Sequence, residues 1–497
     1  MNPIADEQQP LLGPVLEDPE DAISIKHNGI TENIEFEVGD PEDPRQWTKR
    51  FRWFIVLLLA LMAFTVTFTC ISVVPVATRI VDELSGPNES TSSTSALLVT
   101  IWELGEAAGP LLIAPLSELL GRYPVVNTCN LFFILSTLLA ASSSSTGLFI
   151  VARMLTGLTV AANVLNPAII GDLFENEERG SAMSLVALAP LLGGAIGPAI
   201  SGAIAQTLGW RWVLLMAAGL ATCCEIVFLV CFRETYSIRI LKKRAMRLSR
   251  ERDDFALVKK KKNTHEDIKK LWHAVTRPFA VLFGSSVLML LSLFGSVCFT
   301  YFYIMSISLP YILQDIYGFT PAQTGSAFMS FSVGSFLSVI ICNSTLDRIY
   351  IYLRSGSASG TGKPEYRLPV AMAGGFFIPA IVAAYGWITQ YQLPVALLLF
   401  TVALLGFTLM FVMIPISAYV VDAFGNYSAS AMTGVIVMRC LMGTFLPLAM
   451  GPLQDRLGWG LAFSCLGIAS IALAIIPVLI VRYGEKWRQR SEFTRDV

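Results

Sequence analysis

Long apolar runs separated by short polar breaks set the pattern of this chain. A helix needs about 20 residues to cross roughly 30 Å of hydrocarbon. Apolar runs of that length begin near Trp53, Ala96, Val125, Gly147, Ala182 and Trp212, and six more begin near Ser285, Ala322, Leu368, Pro394, Ser428 and Gly460. Several hold internal Gly and Pro, which membrane helices tolerate because neighbouring helices satisfy the freed backbone groups. The pattern predicts an all-α membrane protein with twelve transmembrane helices in two six-helix halves, residues 51–233 and 278–482.

The polar segments divide the rest. Residues 1–50 are acidic and polar, lack the cationic start and short apolar core of a signal peptide, and read as a disordered cytoplasmic tail. Residues 234–277 form the longest polar stretch between spans and include Lys242-Lys243-Arg244 and the run Lys259 to Lys262; a basic amphipathic helix lying on anionic lipid is the simple reading. Residues 483–497 are a C-terminal extension. Two six-span halves around a linker are the layout of transporters built from repeats. A weak internal echo agrees: Gly197-Pro198 precedes Leu208-Gly209-Trp210, and Gly451-Pro452 precedes Leu457-Gly458-Trp459.

Charge adds orientation. Thirty-one of the 36 Lys and Arg residues fall on the side shared by the two termini; the exceptions are Arg79, Arg211 and Arg456 in the opposite loops and Arg153 and Arg439 inside spans. Cytoplasmic loops are enriched in Lys and Arg, so both termini are expected in the cytoplasm. With 54% hydrophobic and 15% charged residues and a mean hydropathy of +0.61, the chain is far from the roughly 25% charge of soluble proteins. A net charge of −1 argues against nucleic acid as a partner. The nine cysteines lie in apolar runs and read as unpaired small hydrophobes. His27, His265 and His273 lie in polar segments and offer no metal cluster. No phosphate-binding loop GxxxxGK[ST] occurs, which disfavours pumping driven by ATP. The sequence points to no enzyme chemistry and no cofactor. Asn88-Glu89-Ser90 lies in the first outer loop as a glycosylation acceptor, whereas the sequons at Asn343 and Asn426 face the cytoplasm in this topology and should be silent.

Candidate chemistry sits inside the spans. A carboxylate near the bilayer centre costs several kcal/mol or takes up a proton, so it is a functional candidate. Glu103 and Glu106 lie three residues apart in span 2, which puts them near one face of a helix, with Glu106 close to mid-span; Glu225 is embedded in span 6. Each could carry a coupled proton, orient a helix through a hydrogen bond, or bind a cationic substrate. Glu106 is the better proton site and Glu103 its support.

Further tokens are Asp40-Pro41-Glu42-Asp43-Pro44 with Trp47, Pro115-Leu116-Ser117-Glu118, Arg233-Glu234-Thr235-Tyr236, Pro364-Glu365-Tyr366-Arg367-Leu368-Pro369 and Tyr483-Gly484-Glu485-Lys486. Together they make residues 40 to 490 resemble the fungal twelve-span drug:proton antiporter branch of the major facilitator superfamily. The resemblance implies that Glu118, Gly121 and Arg122 form a latch between the halves in the outward-open state. Ala114, Leu119 and Tyr123 depart from that pattern. It assigns Arg153, in Arg153-Met154-Leu155-Thr156-Gly157, a role in proton transfer; a structural arginine bonded to helix carbonyls is the alternative. It reads Gly193, Gly197, Pro198 and Gly202 as the antiporter motif, with Ser201 where glycine is usual. It implies a proton-driven exporter of small amphipathic molecules, xenobiotics or endogenous secondary metabolites, working as a monomer in the plasma membrane. Alternatives are uptake or facilitated diffusion of a nutrient or organic acid, a transport-inactive receptor or channel, and a vacuolar address through the dileucine-like Glu7…Leu11-Leu12.

Overall fold

The computed structural model describes residues 24–27, 30–33, 36–37, 39–85, 92–251, 264–356 and 362–494. Glu7, Leu11 and Leu12, Asn88, and the run Lys259 to Lys262 lie outside the described residues.

In the first half, α1 (Lys49–Ile71) and α2 (Ala77–Ser85) make span 1 and α3 (Ser92–Leu120) span 2. Span 3 is α4 (Arg122–Ala141), and α5 (Thr146–Leu158) with α6 (Ala162–Leu173) makes span 4. Spans 5 and 6 are α7 (Asn176–Thr207) and α8 (Trp210–Cys231). The linker carries α9 (Ser237–Glu251) and α10 (Thr264–Gly284). In the second half, α11 (Ser286–Tyr311) is span 7, and α12 (Pro321–Ala327) with α13 (Met329–Ser355) is span 8. They are followed by α14 (Leu368–Gln390), α15 (Val395–Phe424), α16 (Ser428–Phe445) and α17 (Met450–Arg488). Gly458, at φ 73 and ψ 175, breaks α17 into the end of span 11 and the whole of span 12. Ten helical stretches are long and apolar enough to cross a membrane, the last being Ser428–Arg488. Dividing that stretch at Gly458 and adding the two-piece span 4 gives twelve.

Gly209, between spans 5 and 6, has φ 97. The repeated Leu-Gly-Trp thus marks the same turn in each half, made by a glycine in a region that L side chains rarely enter.

One exception to the all-α pattern lies in the segment read as a disordered tail. Strands β1 (Ser24–His27) and β2 (Ile30–Asn33) pair antiparallel, with Ser24 opposite Asn33 and His27 opposite Ile30. Asn28-Gly29 separates them in sequence, and Asn-Gly is the strongest short-range hairpin signal.

The outside of the bundle is apolar. Leu131, Phe132 and Leu135 on α4, Phe376 and Phe377 on α14, and Ile468 and Ile471 on α17 are exposed, as helices surrounded by lipid allow. Inside, one apolar cluster fills the first half around Ile55, Leu59, Leu165 and Phe228. A second fills the later half and continues into Val73, Ile80 and Trp210 of the first. Those three residues lie at the end of the bundle away from the linker, so the apolar core is continuous between the halves at this far end.

Candidate functional site

On α3, Gly105 and Gly109 form a flat face. A Cβ on Gly105 would stand 2.1 Å from the Met154 carbonyl oxygen, and one on Gly157 of α5 only 1.9 Å from that of Trp102. Backbone-to-backbone packing of this kind is what small residues allow in membrane helices. With that face spent on α5, the two glutamates reach the second half. The Tyr303 hydroxyl of α11 donates to Glu103 Oε1. The Arg439 Nη2 of α16 donates to Glu106 Oε1 at 3.4 Å. The guanidinium also lies over the Phe299 ring, 4.6 Å from its centre. Glu103 and Glu106 are buried to 1% and 2% exposure. Glu103 Oε2 has no hydrogen-bond partner among the described residues. One turn outward, Thr100 Oγ1 donates to the Thr444 carbonyl at 3.0 Å, and Thr444 Oγ1 to that of Thr100 at 3.5 Å. Glu103, Glu106 and Cys440 bring their ligand atoms within 4.8 Å of one another. The Arg439 guanidinium already supplies a positive charge there, which opposes a metal cation.

Arg153 is buried and donates to the carbonyls of Thr69 at 3.3 Å and Cys70 at 2.8 Å, the last turn of α1. This is the helix-carbonyl geometry of a structural arginine, and it closes off α1 carbonyls that lack helical partners. Glu225 lies inside the first half in the contact of α4 with α8, where Asn130 Nδ2 donates to it at 2.7 Å.

At the linker end, Gly121 has φ 98, and a Cβ there would stand 2.2 Å from Glu234 Oε2. The Glu234 carboxylate accepts four backbone N–H groups: Arg122 at 2.8 Å, Thr235 at 3.1 Å, Tyr236 at 3.0 Å and Tyr123 at 3.4 Å. It therefore caps α4, whose own N-cap residue Gly121 has no side chain to do so. Arg122 Nε donates to Asp172 Oδ2 at 3.3 Å and stacks on Tyr236. Tyr123, standing where a basic residue is usual, donates to the Leu229 carbonyl at 3.2 Å and stacks on Phe232. Glu118 is exposed and has no hydrogen bond or ion pair among the described residues.

The second half repeats the arginine–aspartate pair of this arrangement. Arg367 donates to Asp422 and, at 3.1 Å, to Asp347 Oδ1, and stacks on Tyr350. Glu365 accepts from Arg488 Nε at 2.9 Å.

In span 5, Gly193 and Gly197 pack on Phe64 and Phe68 of α1. Gly202 and Pro198 pack across the halves instead. A Cβ on Gly202 would lie 2.1 Å from the Pro321 carbonyl oxygen, and one on Gly325 1.9 Å from that of Pro198. Ser201 Oγ donates to the same Pro198 carbonyl at 3.0 Å. At the tips of spans 1 and 7, Gln314 Nε2 donates to the Pro75 carbonyl at 3.1 Å. These named contacts join spans 2 and 11, 2 and 7, 5 and 8, and 1 and 7 at or beyond mid-span toward the far end.

The sequence singles out Glu103, Glu106 and Arg439, but not Tyr303 as a partner, Asp172 as the acceptor for Arg122, or Glu234 as a cap. An Arg-Glu after an apolar run would have pointed to the last; the first needs the rotation of α11.

Residues 53–447 match the family model described as Major Facilitator Superfamily. The MFS-type transporter penM of Penicillium rubens is 34% identical over 459 residues, 91% of this chain and 89% of that protein. The efflux pump radE of Floropilus chiversii is 31% identical over 455 residues, 91% and 84% of the two chains. Among solved structures, the partially occluded inward-open form of the xylose transporter XylE from E. coli superposes with a TM-score of 0.63 at 15% identity, covering 88% of this chain and 98% of that one. At that identity the likeness shows the fold alone.

Proposed function

Because the chain belongs to the major facilitator superfamily and is a secondary transporter, we propose that it exports small amphipathic organic molecules, xenobiotics or endogenous secondary metabolites, in exchange for protons. Its relatives include a protein named as an efflux pump. The distribution of Lys and Arg supports a cytoplasmic linker end with both termini inside. The membrane is the plasma membrane, with the vacuolar membrane as the alternative that the tail's dileucine pattern suggests.

The observation that carries the coupling is the Arg439–Glu106 pair across the halves at mid-membrane. Guanidinium and proton compete for one carboxylate. With the far end closed and the linker end facing the cytoplasm, Arg439 holds Glu106 and a proton brought from outside is expelled inward. With the far end open, α16 withdraws, the carboxylate is left without that partner, and a proton from outside takes its place. Tyr303 on Glu103 and the two threonines tie the same contact. Arg153 supports it indirectly by fixing the end of α1.

The test is extrusion of a fluorescent amphipathic drug from proteoliposomes with and without an imposed pH gradient. Glu106→Gln, which no longer exchanges a proton, should abolish the gradient dependence while the protein stays folded. Gradient-independent extrusion by the unaltered protein, or undiminished coupling in Glu106→Gln, would sink the proposal. Accumulation rather than depletion of solute would favour uptake.

A further inference from the structure

The linker helix α9 does not lie flat against the bundle. Between it, residues 41–47 and the linker-end tips of spans 2, 3 and 6 there is a cavity of about 780 Å³, within the range of sites that hold small ligands. Its cations come mainly from one face of α9, where Arg239, Lys243 and Arg247 follow at four-residue spacing. The tail braces that helix. Arg244 pairs with Asp40, and Arg247 donates to Glu42 Oε1 at 3.1 Å. The amide of Glu42, against the cost of burial and helped by Arg244, holds the Asp40 carboxyl below the usual carboxylate range, so this brace stays charged at cytoplasmic pH. The two acids in the lining are already engaged: Glu42 by Arg247 and Glu234 by four backbone amides. Arg239 and Lys243 are exposed and have no ion-pair partner among the described residues.

The other wall is apolar. Leu120, 49% exposed, and Phe232 stand where spans 2 and 6 leave the membrane. A cavity that is cationic on one wall, apolar on the other and level with the bilayer surface has the polarity of a phospholipid. We propose that it holds the headgroup of a phosphoinositide of the cytoplasmic leaflet, with a phosphomonoester between Arg239 and Lys243 and the glycerol end against Leu120 and Phe232. A phosphomonoester carries about −1.5 to −2 charges at neutral pH, which Arg239 and Lys243 can balance; the third lining cation outside the tail pairs, Arg233, lies over the Phe51 ring, 5.5 Å from its centre. Clusters of basic residues just inside a membrane span attract such lipids. The site also shares Glu234 with the cap on α4, so a bound headgroup lies against the turn at Gly121.

The inference rests on the reading that the linker end is cytoplasmic, but not on the direction or coupling of transport. The experiment uses the full chain in nanodiscs of neutral lipid, titrated with fluorescent phosphatidylinositol 4-phosphate. Removing two cations at a membrane surface should weaken binding at least about tenfold, so Arg239→Gln with Lys243→Gln should show that loss. Lys242→Gln with Lys486→Gln, which removes equal charge at exposed positions outside the cavity lining, should leave binding within twofold. An equal loss in both variants means diffuse attraction and overturns the site, as does no binding. A water-soluble inositol phosphate binding as tightly to protein in detergent would overturn the lipid source. An unchanged melting temperature shows that each variant is folded, and protease cleavage of a tag placed in the linker, in sealed and opened cells, tests the orientation separately.

Discussion

Glu234 shows how one side chain holds the linker-end turn. Four backbone N–H groups converge on its carboxylate, two of them at the start of α4, and an unpaired helix terminus in a partly buried place costs about 1–3 kcal/mol. Gly121 answers to the same carboxylate, because a Cβ would meet Glu234 Oε2 at 2.2 Å. Glu234→Ala should therefore destabilise the protein by about 1–3 kcal/mol, read as a lower melting temperature in detergent. Glu234→Gln, which still accepts hydrogen bonds but carries no charge at the helix N-terminus, should lose less. Equal losses would mean that charge, not hydrogen bonding, holds the turn. Glu118, one turn earlier, is unpaired in the same structure. The resemblance expects its latch when the far end is open, and here the far end is closed.

Between α7 and α12 the halves meet through glycine and backbone rather than through side chains. The Pro198 and Pro321 carbonyls occupy the places of the Cβ atoms missing at Gly325 and Gly202, so backbone meets backbone. Gly325→Ala would put a methyl 1.9 Å from the Pro198 oxygen, and no flexible side chain can yield. The helices must separate, so the closed far end should lose population and transport should fall. Labelling of Ser201→Cys, a near-isosteric change at a fully buried position beside the contact, with a membrane-impermeant thiol reagent should rise in Gly325→Ala; unchanged labelling and transport would remove the contact from the closing mechanism. The same comparison marks what is legible in the sequence. Span positions follow from apolar runs, and the Gly-Pro and Leu-Gly-Trp tokens locate packing and turns, because glycine at positive φ leaves a local signature. The Arg439 partner does not, since it lies 333 residues away and apolar length says nothing about helix rotation. The hairpin at Ser24–Asn33 is the converse case: Asn28-Gly29 is a local signal, obscured by the polar, acidic composition around it.

At the scale of the whole molecule, the two halves are tied at the far end by apolar packing, by backbone contact and by four named hydrogen-bonding links: Thr100 with Thr444, Tyr303 with Glu103, Arg439 with Glu106, and Gln314 with Pro75. All lie at mid-span or beyond it, so they can part together as one seam while each half keeps its own core. Transport by alternating access requires that parting. The threonine pair offers the direct check, because the two side chains already reach each other's backbone at 3.0 and 3.5 Å. With Thr100→Cys and Thr444→Cys in a background whose native cysteines are replaced, oxidation or a short thiol cross-linker should join α3 to α16. The linked protein should lose extrusion, recover it when a disulfide is reduced, and retain the melting behaviour of a folded chain. Either single cysteine variant should be insensitive to the same treatment. Full transport by quantitatively cross-linked protein would mean that the halves need not separate at this seam, and the route across the membrane would then have to open without the movement of α16 that frees Glu106 from Arg439.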